Sequence, residues 1–130
     1  KGKVEDWGSH MIEHELSGIY DVPHGAGLAV VFPAWMQYVY QEDVNLFAQF
    51  AVRVWDVEMD FAYPERTALA GIERLKAFFR SLGLPVTLEE LKVGTDRLEE
   101  MAAKCTERGP VGNFVKLDKE DVLAIYHLAK

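Results

Sequence analysis

Residues 10–40 set the architecture of this chain and read HMIEHELSGIYDVPHGAGLAVVFPAWMQYVY. A three- and four-residue repeat runs up to residue 19 and predicts a helix over residues 4–19. The helix must stop there, because the residue before Pro23 is pushed out of the helical region. The apolar run that follows predicts a second helix over residues 25–40, buried on all sides, which Pro33 should kink or divide.

Outward from this stretch, helical start and stop signals continue to the C-terminus. Asp43 and Pro64 are typical helix starts, and the segment Asp118–Asp121 opens a last helix. Thr87–Glu90 resembles a capping box and predicts a short helix, and residues 96–106 predict another. No alternating strand pattern survives for more than a few residues. The sequence therefore predicts a single all-α domain over residues 1–130, a helical bundle of about six to seven helices.

The apolar faces of these helices predict which side chains form the core. The expected inward-facing residues are Leu46, Phe47, Phe50, Val54 and Val57 in the third helix; Leu69, Ile72, Leu75, Phe78 and Phe79 in the fourth; and Val122, Ile125 and Tyr126 in the last. The aromatic and methionine residues Trp7, Phe32, Trp35 and Met36 are also expected in the core rather than in a substrate pocket.

Composition excludes several classes of function. The chain is 49% hydrophobic, which is too apolar for a disordered protein, and its net charge of -7 argues against nucleic acid. No basic face is present for an anionic membrane surface, and no apolar run is long enough to span a bilayer. With no visible signal peptide and a single cysteine, Cys105, the chain is expected to be cytoplasmic, with a buried, unreactive thiol.

Histidines indicate where the chemistry lies. Three of the four histidines, His10, His14 and His24, fall within one short window, and neutral imidazole is the commonest protein ligand of transition metals. His10 and His14 are four residues apart and therefore share one helix face. The remaining histidine, His127, is expected to be a surface or structural residue.

A chain reversal after the first helix would return His24 to the first histidine. Ten helical residues climb roughly 15 Å, and an extended segment Tyr20–His24 can retrace up to about 17 Å. A sharp turn at the start of this segment, kept extended by Pro23, would place His24 beside His10 and at the start of the second helix. The sequence thus favours a metal shared by His10 and His24, with His14 one turn further along.

Two other interpretations stay open. Residues 10–14 match H-x-x-E-H, the pattern of inverted zinc peptidases, in which both histidines bind zinc and Glu13 activates a water molecule. That interpretation gives His24 no role. Alternatively, the domain is a non-catalytic helical interaction module whose histidines are structural. Outside the peptidase hypothesis, Glu13 and Glu15 are expected to be exposed helix residues.

Residues 7–36 closely resemble the iron-containing (group III) alcohol dehydrogenases, and among them the NAD(P)H-dependent butanol dehydrogenases. The segments that carry this resemblance are HMIEHELS at residues 10–17 and YDVPHGAGLA at residues 20–29. It continues through residues 32–36, 82–85 and 117–122, and so covers essentially the whole chain.

The resemblance implies a longer, two-domain enzyme of the dehydroquinate-synthase-like type, with an N-terminal dinucleotide-binding α/β domain and a C-terminal helical domain. One Fe²⁺ or Zn²⁺ ion is held in such enzymes by an aspartate and three histidines. The last two of these ligands match His10 and His24. The histidine that matches His14 lies near the nicotinamide and is implicated in proton movement, so His14 is the expected catalytic and cofactor-binding residue.

Residues 1–130 are accordingly expected to be the C-terminal, metal-binding portion of a dehydrogenase that interconverts primary alcohols and aldehydes with NADH or NADPH. The N-terminal dinucleotide-binding domain and the first two metal ligands are expected to lie upstream, so these residues alone should be inactive. The sequence distinguishes neither iron from zinc nor NADH from NADPH. Nor does it reveal the substrate chain length or the oligomeric state, although apolar helices of this kind often meet a partner, for example a second copy in a homodimer.

Overall fold

The structure, a computed structural model, describes residues 7–112 and 115–130, with side chains from residue 11 onward. Its six α-helices are α1 Trp7–Tyr20, α2 His24–Val39, α3 Val44–Trp55, α4 Pro64–Ser81, α5 Leu98–Cys105 and α6 Lys119–Leu128. A 3-10 turn at Tyr40–Asp43 joins α2 to α3. Within these residues the only β-type pairing is an isolated bridge between Val111 and Leu117. The predicted all-α class and helix count are confirmed.

The helix start signals act as the sequence predicts. The Asp43 side chain accepts a hydrogen bond from the backbone N–H of Leu46 at 3.2 Å, and Pro64 is the first residue of α4. At the start of α6, Asp118 accepts from the N–H of Asp121 while Asp121 accepts in return from the N–H of Asp118, both at 3.0 Å. These bonds satisfy backbone donors that have no partner inside the helix.

Helix α2 is the central element, and it packs against α1, α4 and α6. Most of its surface is buried, including Val30, Val31 and Trp35, as its apolar sequence predicts. The helix continues unbroken through Pro33, so the expected division at this residue does not occur. A proline removes a single backbone donor from a helix. The neighbouring residues Val31 and Ala34 are buried in the core, and tertiary packing of this kind favours a continuous helix.

Helices α3 and α4 form the most extensive helix pair, and their approach depends on a glycine. A Cβ atom added at Gly71 would lie 2.5 Å from the Cβ of Ala51 on α3. Two small residues therefore let the helix backbones come close, and Ile72 and Leu75 on the same helix are buried beside them.

Three of the predicted core residues are wrong. Val54 is 59% exposed and Phe78 is 44% exposed, while Val57 lies beyond the end of α3 at Trp55. Asp56 adopts a left-handed conformation with φ 57 and ends the helix there. The apolar stripe of α3 is wider than the face that packs, because only Phe47, Ala48 and Ala51 of this helix are buried.

The expected helix at Thr87–Glu90 is also wrong, because the segment forms only a single turn. The Thr87 hydroxyl accepts from the N–H of Glu90 at 3.0 Å, which is the first half of a capping box. The Glu90 carboxylate, however, accepts from the N–H of Val86 and pairs with Arg80 instead of closing the box. Lys92, with φ 66, then turns the chain away. Helix α5 likewise covers only part of the predicted residues 96–106.

The core gathers around α6 as well as α2. Val122, Ile125 and Tyr126 of α6 are fully buried, as predicted, together with Ile12 and Leu16 of α1. Each apolar side chain of this size stabilises the fold by roughly 1.5–3 kcal/mol on burial. In the part of the chain that the structure describes, no helix has both the length and the apolarity of a membrane span.

Candidate functional site

The site forms where the chain reverses between α1 and α2. Helix α1 ends at Tyr20, and Asp21 takes a left-handed conformation with φ 55 while its N–H donates to the Ser17 carbonyl at 2.8 Å. Pro23 is extended, with φ -60 and ψ 141, and α2 begins at His24. An aspartate tolerates the left-handed region better than most residues do. The predicted sharp reversal is therefore confirmed, and it returns His24 to α1.

The reversal brings His24 against two residues of α1. Its Nδ1 atom is hydrogen-bonded to Oε1 of Glu13, and its ring centroid lies 6.3 Å from that of His14, with the planes tilted by 57°. The His24 side chain is 53% exposed and His14 is also exposed, so both imidazoles border the same open surface.

His10 belongs to α1, but its side chain lies outside the described residues. The predicted meeting of His10 with His24 therefore stays a prediction. Among the side chains that the structure does describe, no group of three or more His, Cys, Asp or Glu residues could hold a metal ion. Any complete metal site must include ligands beyond that set.

Glu13 contradicts the expectation of an exposed helix residue. Its side chain is 0% exposed, and its two carboxylate oxygens accept from Ser17 Oγ and bond to His24 Nδ1. Room for the buried carboxylate comes from Gly27, where an added Cβ would lie 2.1 Å from Glu13 Oε2. Glu15 was also expected to be exposed, and its side chain is half-buried.

The buried position of Glu13 also disfavours the peptidase hypothesis. In that hypothesis Glu13 would activate a water molecule at an open zinc site between His10 and His14. A fully buried carboxylate that is bonded to Ser17 and His24 has neither the exposure nor the position for this role.

Behind the site, α1 is held by a buried tyrosine of α6. The Tyr126 hydroxyl donates to the backbone carbonyl of Ile12 at 2.5 Å, one residue before Glu13. Burial raises the pKa of Tyr126, so the hydroxyl keeps its proton and remains a donor. This hydrogen bond joins α1 to α6 within the core.

Cys105 and three of the four residues expected in the core are buried or half-buried. Cys105 is buried, and that burial, with a smaller contribution from Glu15, raises the pKa of its thiol to about 12. Trp35 and Met36 lie in the core, and Phe32 is half-buried and stacked on Trp35 with ring centroids 5.8 Å apart. The side chain of Trp7 lies outside the described residues.

The chain matches the family model of the Fe-containing alcohol dehydrogenases, C-terminal, over residues 2–130. It is 42% identical over 127 residues to the probable NADH-dependent butanol dehydrogenase 2 of Bacillus subtilis (strain 168), covering 95% of this chain and 33% of that protein. It is 37% identical over 128 residues to NADH-dependent butanol dehydrogenase A of Clostridium acetobutylicum, covering 96% and 33%. The chain thus spans about a third of the length of these relatives.

The fold is similar to that of a solved relative. The crystal structure of NADH-dependent butanol dehydrogenase A from Thermotoga maritima superposes with a TM-score of 0.88 at 34% identity. The superposition covers 98% of this chain and 33% of that one.

Proposed function

This chain belongs to the Fe-containing alcohol dehydrogenase family, and on that premise we propose that it is the metal-binding helical region of an enzyme that interconverts primary alcohols and aldehydes with NADH or NADPH. The observation that carries the proposal is the reversal at Asp21, which brings the His24 ring to 6.3 Å from His14. The names of the relatives favour butanol-like substrates.

The chemistry of the donor atoms fits a divalent metal. His24 starts a helix at an open surface, and imidazole nitrogen suits both Fe²⁺ and Zn²⁺. We assign His24 and His10 as two of the ligands. The aspartate and further histidine that the family resemblance implies would come from residues outside this chain.

When bound, the metal supplies a Lewis acid for the substrate oxygen and the reduced nicotinamide supplies hydride. The role of this chain is to hold ligands and to handle a proton. His10 and His24 hold the metal. His14 is exposed beside His24. In the proposed enzyme it lies next to the bound nicotinamide and transfers the proton to or from the substrate oxygen.

Substituting His24 tests the proposal in the full-length enzyme that contains these residues. We expect His24→Ala to lose bound metal and alcohol dehydrogenase activity together while its helical circular dichroism is retained. The matched control is His127→Ala, since His127 is an exposed histidine in the last turn of α6. It should keep both metal and activity. Normal metal content and turnover in His24→Ala would support the non-catalytic interaction module instead.

A further inference from the structure

Glu13 is a buried carboxylate that the proposed reaction does not yet use. Burial of a charge is costly unless polar partners compensate it. In the described part of the chain no Lys or Arg pairs with Glu13, and its polar contacts are with Ser17 and His24. A buried carboxylate whose partner is a half-exposed histidine indicates that the position of this histidine matters for function.

Close packing against α2 restricts the position of the Glu13 side chain. A Cβ at residue 27 would lie 2.1 Å from Glu13 Oε2, 2.7 Å from its Cδ and 2.8 Å from its Cγ, so the side chain rests directly on the α2 backbone. Ser17 Oγ, one turn further along α1, holds the same Oε2 atom. With Oε2 fixed between Ser17 and Gly27, Oε1 is directed at the ring of His24.

The contact with Glu13 determines which nitrogen of His24 carries the proton. A carboxylate oxygen accepts hydrogen bonds, and a histidine binds a metal through the ring nitrogen that carries no proton, so in a metal-bound His24 the Nδ1 atom facing Oε1 is the donor. The lone pair of the imidazole is then on Nε2. Metal-binding histidines are commonly oriented in this way by a carboxylate on the second nitrogen, which also makes the ligand more basic.

We propose that Glu13 is the positioning residue of the metal site, with Ser17 and Gly27 as its support: it fixes the orientation and tautomer of His24 so that Nε2 binds the metal. This inference rests on the proposed function, in which His24 is a ligand. The close contact between Glu13 and α2 also explains why residue 27 is a glycine, because a larger residue there would displace the Glu13 carboxylate.

Affinity for Zn²⁺, measured in the full-length enzyme against a competing chromophoric chelator, tests the inference without relying on activity. We expect Glu13→Ala to weaken Zn²⁺ binding by about 10- to 100-fold. Glu13→Gln should recover most of the affinity, because its amide oxygen still accepts from Nδ1. Gly27→Ala should approach the loss seen in Glu13→Ala, since it displaces the carboxylate.

Tyr126→Phe is the matched control for a general loss of stability. It also removes a buried hydrogen bond to α1, at Ile12, but leaves the contact of Glu13 with His24 intact. It should lower the unfolding temperature without changing Zn²⁺ affinity. If Glu13→Ala does not fold, Ser17→Ala provides a milder variant that frees Oε2, and a several-fold weaker affinity is expected.

The outcomes separate the two proposals. An unsubstituted enzyme that binds no Zn²⁺ would overturn the proposed function itself. Zn²⁺ binding that is unchanged in Glu13→Ala, or equally weakened in Tyr126→Phe, would overturn the role of Glu13 while leaving His24 as a ligand. Glu13→Gln as weak as Glu13→Ala would likewise exclude hydrogen-bond acceptance as the mechanism.

Discussion

The three side chains at the reversal between α1 and α2 differ in how far they are exposed to solvent. Glu13 is buried, His24 is half-exposed, and His14 is exposed on the adjacent turn of α1. This arrangement suits a role for Glu13 in orienting His24 and a role for His14 that needs access to solvent. A group that exchanges protons needs such access, whereas a group that orients a ligand needs a fixed position.

Replacing His14 should separate proton transfer from metal binding. In the full-length enzyme we expect His14→Ala to keep its metal and to lower kcat by about 10²- to 10⁴-fold, the usual contribution of a general acid or base. Metal analysis and steady-state kinetics across pH measure both quantities. Loss of metal in His14→Ala would make His14 a ligand and contradict the assignment of the proton to this residue.

The residues of this site differ in how far the sequence predicts their positions. The return of His24 was predictable, because the length of a helix and the reach of an extended segment are fixed by backbone geometry. The burial of Glu13 was missed, because a glutamate between two histidines on a helix is usually exposed. The available signal is the small-residue segment Ala26, Gly27 and Ala29, which permits a close approach to α2 without identifying the partner.

At the scale of elements, a polar contact joins α2 to α6. The Tyr38 hydroxyl donates to Oδ1 of Asp121 at 2.5 Å, and the other oxygen of Asp121 accepts from the N–H of Asp118. The hydrogen bond to Asp121, followed by burial, raises the pKa of Tyr38 to about 12. One carboxylate thus caps α6 and ties it to the central helix.

Tyr38→Phe should lower the free energy of unfolding by about 1 kcal/mol at neutral pH, the usual net value of one hydrogen bond. Because the folded pKa of Tyr38 is raised, this stabilisation is fully present below the unfolded pKa of about 10 and is lost as the pH rises through the folded value. Denaturant unfolding across alkaline pH measures it. Tyr63→Phe, at a 55% exposed position, is the control and should be near neutral.

The close contact between α3 and α4 should be sensitive to any side chain added at Gly71. Gly71→Ala places a Cβ 2.5 Å from that of Ala51 and should destabilise the protein by about 1–3 kcal/mol, the range for an overpacked core. Gly18→Ala, also inside a helix but with nothing within 4 Å of the added atom, should stabilise by about 0.5–1 kcal/mol. Urea unfolding of the two variants compares them, and equal effects would refute the close helix approach.

The elements differ in how far sequence alone predicts them. Caps such as Asp43 and Asp118 were predictable because the capping residue and its target are a few positions apart. The turn at Thr87–Glu90 was not, because Arg80 on a different element takes part in holding the Glu90 carboxylate. Phe78 and Val54 were misplaced for a related reason: periodicity gives the direction of an apolar face but not the width that its neighbours cover.

The whole chain corresponds to only part of its relatives, and this bears on the activity expected of these residues in isolation. The chain matches the family model over residues 2–130 but covers 33% of the B. subtilis relative. Its helices form a continuous core around α2 and α6, so the site surface at His14 and His24 lies at the edge of this core rather than within it. A site at an edge suits completion by residues that these helices do not supply.

These 130 residues by themselves should therefore show negligible alcohol dehydrogenase activity and weak metal binding. The described side chains contain no set of three metal-binding residues, and affinity falls steeply when ligands are missing. The measurement is oxidation of NADH or NADPH with butanal, alongside Zn²⁺ titration, for this chain and for the full-length enzyme. We expect turnover and tight Zn²⁺ binding only in the latter. Robust butanal reduction by the isolated chain would contradict the assignment of the remaining ligands and the nicotinamide site to other residues of the enzyme.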